Sequence, residues 1–131
     1  MPRYLTSGAL AAIGSIHVAW GFGSSFPFRT HTELAETVIG SEVVPSAAAC
    51  HAVAVALFVA SGLVADLPVG PRPLRRVGRV VVAGVLAARG VVGLCGRTDL
   101  LSPGSTATRF RTLDRRFYSP LCLILAVCAV R

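Results

Sequence analysis

The sequence predicts an all-α fold, an integral membrane bundle of four antiparallel transmembrane helices in a single domain of residues 1–131. Three observations carry this. The chain is 53% hydrophobic and only 15% charged over 131 residues, and its mean hydropathy is +0.68, whereas an ordinary soluble domain is about one quarter charged. Its 13 basic and 6 acidic side chains are too few to coat a compact domain without leaving large apolar patches in water. Finally, four apolar stretches of near-spanning length alternate with linkers rich in proline, glycine and arginine. Disorder needs low hydrophobicity, a disulfide scaffold needs dense cysteine and collagen needs glycine at every third position, so none of these classes fits. The net charge of +7 does not point to nucleic acid, because the basic residues are all Arg and most flank apolar runs, as juxtamembrane residues do.

The first helix is expected at about residues 5–23, a run interrupted only by Thr6, Ser7, Ser15 and His17. At 1.5 Å per residue it is long enough to cross about 30 Å of hydrocarbon. It reads as a retained span and not as a cleaved signal, since Gly21-Phe22-Gly23 offers no small-x-small site leading into a soluble domain. In the linker that follows, Glu33, Glu36 and Glu42 are acidic, and Thr32 to Ile39 is expected as a short interfacial helix ending at Gly40, placed to lid the bundle. The second helix, at about residues 45–66, opens at Pro45 and carries the small residues of a closely packed membrane helix. Pro68, Pro71 and Pro73 end it. A third follows at about residues 77–96, with Arg89 well inside it and Gly90 and Gly93 as close-packing positions. The fourth is short: Phe117 to Val130 is fourteen residues, about 21 Å of helix against about 30 Å required. It is therefore expected to extend backward through Arg109–Arg116, over about residues 112–130. Pro120 should kink it and leave a carbonyl near residue 116 without its usual donor.

Topology is balanced by arginine count. The N-terminus, second linker and C-terminus hold Arg3, Arg72, Arg75, Arg76, Arg79 and Arg131, and the opposite side holds Arg29, Arg97, Arg109, Arg111, Arg115 and Arg116. We place both termini in the cytoplasm, because the cluster at 72–79 lies in a short loop, where arginine fixes orientation best. The expected location is the inner (plasma) membrane, crossed several times.

Among residues able to carry chemistry, Asp114 stands first. A carboxylate just ahead of an undersized span, near Arg111, Arg115 and Arg116, is either the hub of a structural ion-pair network or an acid facing a cavity. Arg89 needs a partner at membrane depth: Asp114, Glu33, an anionic substrate group or, by snorkelling, the interface itself. His17 and Trp20 share a helical face, and His17 and His51 each suit an interhelical hydrogen bond. Cys50, Cys95, Cys122 and Cys128 show no C-x-x-C spacing and read as small apolar filler, and the histidines lack metal-ligand spacing, so no metal is expected.

The pattern His17-x-x-Trp20-Gly21, together with Phe110-x-x-Leu113-Asp114-x-x-Phe117-Tyr118-Ser119-Pro120-Leu121-Cys122-Leu123, resembles the small bacterial four-helix membrane proteins catalogued as domain of unknown function 3995. The resemblance implies the helix count and no activity. From the residues, the leading expectation is a membrane enzyme acting on a lipophilic small molecule, most concretely a proton-initiated isoprenoid (terpene) cyclase, an isomerase or lyase. Asp114 would be the buried acid, with His17, Arg89 and Glu33 completing the catalytic set. Trp20, Phe22, His51, Arg111 and Tyr118 would contact substrate, the aromatic faces stabilising a carbocation. No cofactor or nucleic acid is expected; membrane lipid is a partner, and a homo-oligomer is left open. The rival expectation is a non-catalytic lipid-binding or assembly module whose Arg and Asp form structural pairs.

Overall fold

In the computed structural model, which describes residues 2–131, every regular element is helical and no strand occurs among the described residues. Helix α1 runs Pro2–Gly21, starting three residues earlier than expected because proline is well suited to a first helical turn. Residues His31–Leu34 form α2, which continues as a π turn, Ala35–Ile39. Thr30 caps α2 by accepting from the Glu33 N–H, and the segment ends at Gly40 as the sequence indicates. Helix α3 spans Ala47–Val64. Its start lies past Pro45 because Ser46 is the N-cap, extended and accepting from the Ala49 N–H. Helix α4 covers Arg72–Leu94 and begins five residues before the expected position. Of the three prolines, Pro73 falls in its first turn, where a missing N–H costs no hydrogen bond. A 3₁₀ turn at Thr98–Leu100 follows.

The last helix does extend backward. Thr108–Leu113 (α5), a π turn at Asp114–Tyr118 and Ser119–Val130 (α6) follow one another without a break, giving a length that a bilayer core requires. The π turn lies directly ahead of the proline. The Ser119 N–H reaches back five residues to the Asp114 carbonyl, so the ladder changes register just before Pro120, which has no N–H to donate.

The four long helices pack as two close pairs, α1 on α3 and α4 on α6, with α1 meeting α6 and α3 meeting α4 to close the ring. Leu10, Val64, Ala83 and Ala129 form the core, with Leu57, Ala60, Val82 and Leu86 against it. Hydroxyls tie the helices together: Thr6 Oγ1 donates to the Leu125 carbonyl at 3.1 Å, and Ser61 Oγ donates to the Ser7 carbonyl at 2.9 Å. These bonds set the start of α1, the end of α3 and the end of α6 side by side, so both termini and the α3–α4 loop share one end. The other end is built from the α1–α3 and α4–α5 connections. There the Thr106 and Ala107 N–H groups both donate to the Gly40 carbonyl, at 2.9 and 3.0 Å. Gly40 has φ of 78° and lies against the Phe110 ring, so a side chain would be both strained and blocked.

Outward faces are apolar. Val55, Phe58 and Val59 on α3, Val80, Val81 and Val85 on α4, and Ile124 and Val127 on α6 are all exposed. Two helices, Ala47–Val64 and Arg72–Leu94, are long and apolar enough to cross a membrane, and only 17% of each candidate span is buried inside the protein.

Candidate functional site

The polar centre of the molecule forms where α4 meets the π turn. Asp114 is 1% exposed, and its Oδ1 accepts from Arg89 Nη2 at 2.7 Å and from Ser119 Oγ at 3.1 Å. Its Oδ2 accepts from Thr98 Oγ1. A buried anion is tolerable only when paired and fully hydrogen-bonded, and these three donors supply that. Ser119 lies five residues after Asp114, a separation that does not stack in a regular α-helix but does in the wider π register. Gly93 makes the approach possible: a Cβ there would meet Ser119 Oγ, Arg89 Nη1 and Asp114 Oδ2. At Gly90 it would strike Leu123 and the Ser119 carbonyl. The sequence expectation of an Arg89–Asp114 pair is thus met. Arg111, Arg115 and Arg116 are not part of it: Arg115 Nε donates to the Leu94 carbonyl at 3.3 Å, and the Arg116 guanidinium lies 5.5 Å from the Phe117 ring centroid.

Beside this centre is a cavity of about 420 Å³. Arg89 and Thr98 stand in its wall with His17, Trp20, Cys50 and Phe110, and Val38 and Ile39 of the first π turn line it too. Asp114 does not line it. Two of the carboxylate's three donors therefore face the cavity, so a ligand there would feel the charge of Asp114 through Arg89 and Thr98. Arg89 is partly exposed, and its Nη1 has no acceptor. The His17 and Trp20 rings pack at a tilt of 56°, centroids 4.7 Å apart. The His17 Nδ1 bonds within its own helix to the Ile13 carbonyl at 2.9 Å, not across helices, and Trp20 Nε1 donates to the Phe26 carbonyl at 2.7 Å.

Other expected site residues lie elsewhere. Glu33 stays at the surface, accepting from the Arg29 N–H at 3.2 Å and facing Arg109 at 3.9 Å, because the α2 segment holds it over the bundle end and away from Arg89. Phe22 is 82% exposed past the end of α1 and touches His51 edge-on at 4.9 Å, so His51 has an aromatic contact in place of the expected interhelical hydrogen bond. Arg111 sits with Thr108, Thr112, Arg115 and Arg116 on the outer side of α5. Tyr118 packs on Phe110, centroids 6.2 Å apart, and its hydroxyl donates to the Thr37 carbonyl at 3.3 Å. It ties the π turn at Ala35–Ile39 to the last helix and does not line the cavity. Thr98 has no signal in the sequence, and Phe110 and Ser119 stand there only within the family pattern, with no role in the site.

The fold and this centre define a small all-helical protein in which a buried aspartate, paired with a partly exposed arginine, flanks an apolar cavity. The chain belongs to the family described as "Protein of unknown function (DUF3995)", whose model matches residues 10–129. Neither a curated protein nor a solved structure matches it.

Proposed function

We propose that this chain is a multi-pass protein of the plasma membrane, with α1, α3, α4 and the continuous α5–α6 helix as four spans, that binds a lipophilic small molecule in the cavity beside Arg89. The membrane reading is supported by the outward apolar faces of α3, α4 and α6, of a kind that water-soluble monomers rarely expose, and by the low burial of the two most apolar helices, since the core helix of a soluble protein is mostly buried. The observation that carries the binding reading is the cavity itself: about 420 Å³, lined mainly by apolar side chains, with Arg89, Thr98 and His17 as convergent polar groups. Small-molecule sites have this size and this mixture.

The cyclase reading retains one supporting observation, the Trp20 and Phe110 rings in the cavity wall, whose faces suit a cationic intermediate. Asp114 is poorly arranged to start such a reaction. Oδ1 faces the Arg89 guanidinium, which can only donate, a proton on Oδ2 would be held by the Thr98 hydroxyl turned to accept it, and the carboxyl group is off the cavity wall. Binding without chemistry on Asp114 is therefore the better-supported reading. The test is titration of a fluorescent polyene fatty acid into the detergent-solubilised protein, beside an Ala49→Trp variant. Ala49 lines the cavity from an exposed position, so the variant should keep its fold, and the bulky ring should weaken probe binding about tenfold or more. Equal binding by both proteins would refute the cavity as the site.

A further inference from the structure

A second cavity, of about 250 Å³, lies at the end carrying both termini and is lined by Arg3, Asp66, Arg72, Arg76 and Arg79. Three of these arginines belong to one helix at spacings of four and three residues, which sets them on a single face of α4. Arg3 comes from α1 and Asp66 from the α3–α4 loop, so three segments of the chain converge. The single acid is already matched. Arg75 faces Asp66 at 3.3 Å, and its Nη1 donates to the Asp66 and Leu67 carbonyls at 2.9 and 3.2 Å. Arg3, Arg72, Arg76 and Arg79 have no acidic partner among the described residues. Arg3 does have a neighbour, for its guanidinium lies 5.1 Å from the Tyr4 ring centroid and Nη2 donates to the Tyr4 hydroxyl at 3.3 Å. At the opposite end, Arg97 pairs with Asp99 and Arg109 with Glu33.

We propose that this arginine cavity binds a phosphate group, and that an anionic phospholipid headgroup is its source. Four guanidiniums share this small space with one carboxylate that is already held by Arg75, an excess of positive charge that favours an anion, and a tetrahedral oxyanion accepts from several planar forks at once. The lipid is favoured over a soluble phosphate because exposed apolar side chains, Leu5 on α1, Val69 in the loop and Leu74 and Val77 on α4, border the same end and would meet acyl chains. Juxtamembrane arginine clusters recognise anionic leaflets on this basis. The site is separate from the cavity beside Arg89 and uses the membrane reading only for the source of the phosphate.

Full-length protein in non-ionic detergent is titrated with short-chain phosphatidylglycerol, short-chain phosphatidylcholine and inorganic phosphate, and bound adducts are counted by native mass spectrometry. Phosphatidylglycerol should bind at least tenfold tighter than phosphatidylcholine, and inorganic phosphate weakly. The triple variant Arg72→Gln, Arg76→Gln, Arg79→Gln should lose about a hundredfold in phosphatidylglycerol affinity, at about fivefold per arginine. The triple variant Arg111→Gln, Arg115→Gln, Arg116→Gln should bind as wild type does. Should the first triple variant not be monodisperse, Arg76→Gln alone, at an exposed position, should still show the fivefold loss. Equal binding of the two lipids, or equal loss in the two triple variants, would overturn the site. Inorganic phosphate binding as tightly as phosphatidylglycerol would overturn the lipid as its source.

Discussion

Arg89 and Asp114 are 25 residues apart in sequence and 2.7 Å apart in space, and their pairing follows from a simple constraint. Each is the one ionisable residue of its sign deep in the helices it joins, and neither is tolerable there alone. Truncating the arginine strands a carboxylate that is 1% exposed. Arg89→Leu should therefore lower stability by about 3 to 5 kcal/mol, whereas Arg97→Leu, at a 61% exposed side chain facing Asp99 at 3.7 Å, should cost about 1 kcal/mol or less. Thermal unfolding in detergent compares them, and equal melting temperatures would mean that Arg89 is held by the interface and not by Asp114. This pair was legible because charge is scarce in the sequence. Its other two donors were not: Thr98 sits in a connection without periodicity, and the Ser119 contact depends on a change of helical register that hydrophobic patterning does not report. Phe22, His51, Arg111 and Tyr118 were drawn into the expected site by residue type, yet their side chains follow helix faces and loop ends that only the packing fixes.

At the scale of elements, the undersized fourth apolar run proved the most informative feature of the sequence. Its shortage of length demanded an extension through charged residues, and a π turn at Asp114–Tyr118 shifts the helical register just ahead of its proline. Boundaries moved by two to five residues wherever a cap or a first-turn proline set the true start, as at Ser46 and Pro73. The α4–α6 contact rests on the absence of side chains at Gly90 and Gly93. Gly93→Ala should therefore force the two helices apart and cost about 1 to 3 kcal/mol. Gly84→Ala, on the same helix with open space around it, should stay within about 1 kcal/mol of wild type. Paired thermal melts decide this, and similar losses at both positions would contradict the close approach.

Across the molecule, hydroxyls, the Asp114 carboxylate and small residues sit inside beside a few large apolar side chains, among them Leu10, Val64, Phe110 and Leu125, while most valines face outward. Composition alone foretold this, since 15% charge cannot cover a soluble surface. The count of arginines did not orient the chain, but their environments differ. The end with the termini has six arginines against one acid, and the other end has six against Glu33, Glu36, Glu42 and Asp99. The topology proposed above puts all four long helices in lipid around the polar centre. Spin labels at outward positions on each, Ala12, Val55, Val85 and Ile124, test it in reconstituted vesicles by comparing collisions with oxygen and with a water-soluble nickel chelate. Oxygen collisions should dominate at all four positions, because oxygen concentrates in hydrocarbon. Dominant nickel collisions on α1 or α6 would show that helix in water and contradict the four-span account.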